Sequence, residues 1–405
     1  MGGNLLSTTL RFGKVPYQRK AKGHIPQYEP IVPEEMRQAM IDAFDELIWI
    51  RPSPDWDCHG KRFEEEIAKF VDGKYAVNLN SGTAAVFLGL KALGVGPGDE
   101  VITVPNTYIS PIDAIIWNGA KPVFVDVDPD TFNIQVSAIE HAITPRTRVI
   151  MPIHHHGHAV DMDPVMEIAE RHGVNVLEDA CQALGAGYKG RKVGTIGLAG
   201  TYSYTRNKPM SCGGDGGVLV TNSPVVARTV SMLSNHGRGP MWVSGHEAED
   251  SYCAIQHEMC GLLFRQNEIL SAMARVQLRY LQGWNEERRA IAARYTRLLH
   301  EFDTDLILPV EKPYAWHSWW RYIVRTPRRD QLRLHLASKG VEARAVYGTP
   351  NHLDYFYRTN FGFKEGDYPI TERLAKEVLG LPIFPGLTFE EVDHVVEAME
   401  SFYKK

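Results

Sequence analysis

From Tyr75 to Val220, short apolar runs alternate with segments of helical spacing, and this alternation constrains the fold more than any other feature. Tyr75–Leu79, Val101–Val104, Pro122–Val127, Val149–Ile153, Val174–Leu177, Gly200–Tyr204 and Gly217–Val220 read as strands. Between them, Ala84–Leu93 stops at Gly94, Ser110–Trp117 is helical, and Pro164–His172 is closed by Gly173. Short apolar strands separated by helices belong to a largely parallel sheet covered on both faces. No sequence period repeats, so a solenoid is excluded.

The flanks differ in texture. Residues 1–30 are polar and irregular and read as an arm. Pro33–Leu47 has Met36, Met40, Ala43 and Leu47 on one helical face, and Arg62–Val71 has Phe63, Ile67 and Phe70. Asn267–Phe302 is rich in Arg, Leu, Ala and Glu, as one long helix or two in tandem. A strand (Trp319–Val324), a helix (Arg329–Lys339), a strand (Val341–Val346) and helices at Thr371–Val378 and Phe389–Phe402 follow. The whole is expected to be α/β: an arm at 1–30, a large domain at 31–290 and a smaller C-terminal α+β domain at 291–405. The 405 residues suit two domains of ordinary size.

Composition removes several classes. Forty-four basic against 49 acidic residues give a net charge of −5, with no basic excess for nucleic acid. The longest uncharged stretch, Tyr75–Leu90, is interrupted by Asn78, Asn80, Ser81 and Gly82, so no membrane span is expected. Met1–Leu10 lacks a basic n-region before an apolar core, and Leu6 does not suit myristoylation of Gly2. The five cysteines are odd in number and widely spaced, so neither a disulfide framework nor a zinc site is indicated, and a reduced, cytoplasmic protein is expected.

Three segments carry chemistry. In Asn80-Ser81-Gly82-Thr83-Ala84 a strand ends and a helix begins. Helix N-termini expose unpaired N–H groups that bind phosphate, though an ordinary helix cap has the same look. In Val176-Leu177-Glu178-Asp179-Ala180-Cys181-Gln182 an apolar strand ends on two acids, where ligands of open α/β sheets gather. In Thr201–Lys208, followed by Gly213-Gly214-Asp215-Gly216-Gly217, a lysine lies between a strand and a glycine-rich turn. Lysine's characteristic covalent chemistry is the Schiff base. Pyridoxal phosphate (PLP) needs a Schiff-base lysine, an acid for its pyridinium nitrogen and a phosphate cradle. Lys208, Asp179 and Ser81–Thr83 supply all three.

With these motifs the chain resembles the DegT/StrS-type sugar aminotransferases, which have the type I PLP-dependent (aspartate aminotransferase) fold. The resemblance runs from about Phe63 to the C-terminus. It is carried by Asn80–Ala85, Gly94–Val101, Pro105-Asn106-Thr107-Tyr108, Pro122–Asp126, Glu178–Gln182, Ser203 with Lys208, Leu381–Pro385 and Glu390-Glu391-Val392. It implies a mostly parallel seven-stranded sheet flanked by helices, with the smaller domain after it. It also implies PLP held as a Schiff base on Lys208, with Lys208 later acting as acid and base. Asp179 would pair with the pyridine nitrogen, Gln182 would lie near the ring hydroxyl, and Tyr108 would stack on the ring. Gly82, Thr83 and Ser203 would contact the phosphate. Asn235 would reach the phosphate of the partner subunit, making a homodimer with shared sites.

The implied activity is transfer of an amino group from glutamate or glutamine to a keto sugar, nucleotide-linked in the first reading; Asn106, Thr107, Tyr108, His154–His158, Ser211 and Tyr347–His352 are expected at the site and offer donors and acceptors rather than an apolar slot. Two departures bear on this. Leu263-Phe264-Arg265 stands where the family often has Asn-aromatic-Arg, so the Asn is missing. Pro209-Met210-Ser211-Cys212 is closer to the branch acting on cyclitols or aminohydroxybenzoate precursors, which makes a free keto cyclitol or such a precursor the alternative acceptor. A non-transaminating PLP enzyme or a regulatory member of the same fold is the further alternative, and retention of Lys208, Asp179 and Gln182 disfavours the latter. His154-His155-His156-Gly157-His158 could be taken for metal ligands. Consecutive strand residues point to opposite faces, however, and His154 with Gly157 matches a family turn, so no metal is expected and one of these histidines is a candidate for substrate contact. Trp319, Trp320 and Tyr322 read as small-domain core.

Overall fold

The structure is a computed structural model, and it describes residues 23–49, 58–238, 257–302 and 304–404. In chain order the helices of the first part are α1 (Glu34–Trp49), α2 (His59–Phe70), α3 (Gly82–Ala92), α4 (Ser110–Trp117), α5 (Val136–Ala142), α6 (Met162–His172) and α7 (Pro224–Leu233). The strands are β1 (Tyr75–Leu79), β2 (Glu100–Thr103), β3 (Lys121–Phe124), β4 (Thr147–Ile150), β5 (Asn175–Asp179), β6 (Gly187–Tyr188), β7 (Arg191–Lys192), β8 (Ala199–Ser203) and β9 (Gly217–Thr221). Seven of these form one sheet in the order β1-β9-β8-β5-β4-β2-β3. Every neighbouring pair is parallel except those made by β9, which runs against both β1 and β8.

The period of two along each strand divides its side chains between two apolar layers. Val101, Val149, Leu177 and Leu219 face α3, α4 and α7, against Leu88, Leu90, Ile115 and Val230. Their neighbours Ile102, Ile150, Val176, Val218 and Val220 face the other way, against Phe63, Ile67, Val165 and Ile168. Both faces are dry, which is why these strands read as continuous apolar runs. Local signals set the helix ends. Ser81 Oγ accepts from the Ala84 N–H at 3.1 Å, and Gly173 closes α6 in the left-handed region at φ 64°.

A 32-residue helix, α8 (Glu268–Leu299), runs unbroken through Gly283, settling the choice between one helix and two. Its first half packs Ala274, Leu278 and Leu281 on the sheet core. Its second half packs Ile291, Ala292, Tyr295 and Leu299 on a second core. That second core is completed by β11 (Tyr322–Arg325), α9 (Arg329–Ser338), β12 (Val378–Leu381) and α12 (Phe389–Tyr403), with β11 and β12 antiparallel. The short β10 (Ala315–Trp316) pairs with β6, and α10 (Tyr355–Phe361) and α11 (Pro369–Glu377) complete the chain. Among the described residues no helix is long and apolar enough to cross a membrane.

Several expected elements differ. The strand expected at Trp319–Val324 begins only at Tyr322, because Trp319 takes φ 50° and turns the chain. Val341–Val346 makes isolated bridges, Val341 with Ile25 and Arg344 with Gly380, rather than a strand. The segment before α1 is not free: Ile25 and Gln27 are buried, and residues 1–22 of the expected arm lie outside the described residues. On α1, Met36 and Ala43 are buried but Met40 is exposed, so the packed face is narrower than the apolar one. Leu47 lies outside the residues whose side chains are described.

Leu281 has no solvent exposure and anchors α8 to the sheet core. Leu281→Ala is therefore expected to cost about 2–5 kcal/mol, read as a lower urea midpoint at unchanged slope. An unchanged midpoint would show that α8 is not held by this contact.

Candidate active site

A cavity of about 630 Å³ opens where the carboxyl ends of β5 and β8 meet the start of α3. Its lining includes seven of the eight residues expected from the sequence: Gly82, Thr83, Tyr108, Asp179, Gln182, Ser203 and Lys208. Asn235 does not line it. It follows α7, where its N–H donates to Met232 O and its backbone bridges to Leu263.

The rim at α3 is built by close approach. A Cβ on Gly82 would lie 2.7 Å from Ser203 Cβ and 3.3 Å from Cys181 Sγ. A Cβ on Gly217 would lie 2.4 Å from the Gly82 nitrogen. Only glycines let α3, β8 and β9 converge this tightly. The cap uses the Ala84 N–H, and no acceptor among the described residues engages the Gly82 or Thr83 N–H. These two amides at the positive end of a helix form a cradle for an anion.

The two acids at the end of β5 have opposite roles, as strand alternation requires. Glu178 is fully buried away from the cavity and accepts from the Gly194, Ile196 and Gly197 N–H groups and from His154 Nε2. Asp179 faces the cavity, with Oδ1 accepting from the Cys181 N–H at 3.0 Å. Gln182 is held by its Oε1, which accepts from the His156 N–H at 3.1 Å. Tyr108 is 58% exposed, leaving its ring open to a flat ligand.

Lys208 follows β8 and is 9% exposed. Burial lowers its pKa below the ordinary lysine value, against the smaller opposing pull of the Asp179 carboxylate. A lowered pKa raises the share of neutral amine, the nucleophilic form. Its Nζ lies 4.6 Å from the Trp320 ring centroid. Burial also pushes the Cys181 thiol well up, so it is a neutral packing group here.

Sequence reasoning found Tyr347 but missed the rest of the far wall, which is made by Gln27, Trp320, Arg321 and Arg344. The aromatic pattern at 319–322 places Trp320 in a core strand. Trp319 and Tyr322 do belong to the second core, but the turn at Trp319 sends Trp320 and Arg321 to the cavity. No glycine marks that turn, so no local signal was available.

The histidine run explains how this wall is held. None of His154–His158 lines the main cavity, which corrects the expected substrate contact. Gly157, at φ 103°, lets Ser318, Trp319 and Trp320 pass so closely that a Cβ would meet the Trp320 nitrogen at 2.9 Å. Gly157 O accepts from the Ser318 N–H and His156 O from the Arg321 N–H. The His156 ring stacks near both Trp320 and Tyr347. His155 Nε2 donates to Asn106 O, and His158 Nε2 accepts from the Lys312 N–H. Burial pushes His155 and His158 down to about 4, so both are neutral at pH 7. Among the described residues no group of three or more His, Cys, Asp or Glu is placed to hold a metal ion.

Of the other polar groups expected near the site, Thr107 and Tyr347 line the cavity, whereas Asn106, Ser211, Asn351 and His352 do not. Asn351 Oδ1 accepts from the Thr107 N–H, His352 pairs with Glu372, and the Ser211 N–H donates to Gln277.

The chain is 38% identical to the pleiotropic regulatory protein of Geobacillus stearothermophilus over 379 residues, covering 93% of this chain and 96% of that protein. It is also 38% identical to the dTDP-3-amino-3,4,6-trideoxy-alpha-D-glucose transaminase of Streptomyces venezuelae, covering 85% of this chain and 86% of the relative. The crystal structure of NtdA from Bacillus subtilis with bound cofactor PMP superposes with a TM-score of 0.83 at 25% identity, covering 96% of this chain and 87% of that one. The model of the DegT/DnrJ/EryC1/StrS aminotransferase family matches residues 39–400, and the chain belongs to that family.

Proposed function

We propose that this protein is a PLP-dependent aminotransferase that moves an amino group from glutamate or glutamine to the ketone of a nucleotide-linked sugar. The observation that carries this reading is the convergence of Lys208, Asp179 and the Gly82–Thr83 amides on one cavity. The residues fit the cofactor. The two amides without acceptors match its phosphate, and a glycine stands where a Cβ would fill that cradle. When bound, PLP supplies an electron sink that accepts the amino group from one substrate and returns it to another.

Each residue then has a physical task. Lys208 Nζ would hold the cofactor as a Schiff base and would serve as the acid and base of the transfer. Asp179 would pair with the ring nitrogen. Ser203 Oγ, with the Gly82 and Thr83 N–H groups, would hold the phosphate. Tyr108 would pack on the ring, and Gln182 would lie near the ring hydroxyl. The lining around them is rich in hydroxyl, amide and guanidinium groups, including Thr107, Ser110, Thr205 and Asn207, and it suits a polyhydroxylated acceptor. A site built to bond hydroxyls disfavours substrates lacking them by up to about 10⁴–10⁵-fold.

The reading includes a homodimer in which Asn235 serves the partner's cofactor. Its support is that Asn235 lies away from its own cavity, beside the exposed Leu262 and Leu263. A reducing cytoplasmic setting is supported by the free, buried Cys181 and Cys212. We place the domain boundary at 290/291, within α8 between its two packing halves.

Three variants test this reading. Lys208→Ala should lose the visible absorption of bound cofactor and all transamination while keeping its circular dichroism; normal turnover would reject the assignment. Asp179→Asn should retain PLP but lose about 10²–10³-fold in kcat, the usual scale for a preorganised electrostatic contact. An unchanged rate would remove the role given to Asp179. Gly82→Ala displaces Ser203 from the cradle and should weaken PLP binding by about tenfold or more, the scale of one hydrogen bond to a charged group, as measured by equilibrium dialysis. Unchanged PLP affinity would move the phosphate elsewhere.

A further inference from the structure

Trp320 touches the lysine loop twice. Its indole N–H donates to Asn207 O at 2.8 Å, and its ring centroid lies 4.6 Å from Lys208 Nζ. The first contact fixes the backbone just before the lysine, and the second falls on the reacting nitrogen itself. A packing aromatic needs neither. Trp319, the residue before it, belongs to the second core and stacks on His317 with centroids 3.9 Å apart.

The charges around Lys208 give the ring contact a use. Asp179 and Cys181 act on Nζ from the end of β5, Arg321 acts from the residue before β11, and His156 lies in the turn after β4. The other titratable groups of the lining are Tyr108, Arg206, Asp215, Arg344 and Tyr347. Burial keeps the Cys181 thiol and the His156 imidazole neutral. Lys208 and Arg321 are then two neighbouring cations with the Asp179 carboxylate between their opposing effects. The Arg321 Cζ also lies 4.6 Å from the Trp320 ring centroid. An indole face carries negative potential and attracts cations, most strongly where water is excluded. Trp320 is 4% exposed and offers that face to both. An acid–base lysine must hold a proton for part of the cycle and release it for the rest. Burial and Arg321 both oppose the proton on Nζ. An indole offsets them moderately, whereas a second carboxylate would keep the amine protonated throughout.

We propose that Trp320 is a positioning residue of the reaction: its ring holds the protonated form of Lys208 in the cavity, and its N–H fixes the loop that carries the lysine. This rests on the aminotransferase reading.

Acetic anhydride labels lysine only in its neutral form. Enzyme carrying the cofactor as pyridoxamine phosphate, which leaves Lys208 free, is labelled across a range of pH, and the acetylated Lys208 peptide is quantified by mass spectrometry. Trp320→Leu should lower the midpoint of Lys208 labelling by about one pH unit, the scale of a desolvated cation–π contact. Trp320→Phe, with a weaker ring, should lower it by less. Loss of packing alone would admit water and raise the midpoint toward the ordinary lysine value, so the sign separates the two roles. Replacement of the Trp320 indole by its tetrafluoro analogue keeps the shape and the N–H but removes the negative face. It should also lower the midpoint, and it decides the matter if Trp320→Leu does not fold. A midpoint that stays or rises in these proteins overturns the proposal, as does an equal fall in Trp319→Phe. The labelling reads Lys208 without turnover, so failure here is distinct from failure of the aminotransferase reading, which Lys208→Ala decides.

Discussion

Glu178 has no exposed surface, and its carboxylate accepts four hydrogen bonds: from three backbone N–H groups of the loop at 194–197 and from His154 Nε2. Four charge-assisted bonds replace the water that a buried carboxylate gives up. They tie the end of β5 to the loop before β8 and to the turn after β4. His154 passes the constraint on, because its Nδ1 accepts from the Val160 N–H. With Glu178 fixed on one face, the next residue must face the other way, and Asp179 enters the cavity.

The same turn reaches the small domain. Gly157 allows the backbone of Ser318–Trp320 to lie against it, and His156 O holds the Arg321 N–H. Trp320 Nε1 then donates to Asn207 O, one residue before Lys208. The far wall and the lysine loop are thus joined through the Trp320 indole, by its N–H on the Asn207 carbonyl and its ring face on Lys208. The opposite rim depends on glycines instead, with Gly82 and Gly217 permitting contacts that any Cβ would block. The cavity lies between a rim that binds through bare backbone and a wall that binds through side chains.

What the sequence made legible follows from this division. Strands buried on both faces leave an unmistakable apolar run, and α3, β5 and β8 carry their chemistry within a few residues of their ends. Gly82, Asp179 and Lys208 could therefore be read locally, and the order of the motifs supplied the family. Trp320, Arg321, Arg344 and Gln27 could not, because each arrives from a distant stretch through contacts with no local pattern. The αL turn at Trp319 has no glycine, so an aromatic run looked like a core strand. Val341–Val346 alternates like a strand, but β12 already pairs with β11 and offers Arg344 only an isolated bridge. Residue type suggests ligand or substrate contact for the histidines, whereas in the structure their ring and backbone atoms serve mainly to position neighbours.

The most direct test of the central claim is chemical mapping of the cofactor-bearing lysine. Protein loaded with PLP is reduced with borohydride, digested and analysed by mass spectrometry. The account predicts one modified peptide, with the added mass on Lys208. Modification of a different lysine, or none at all, would contradict it.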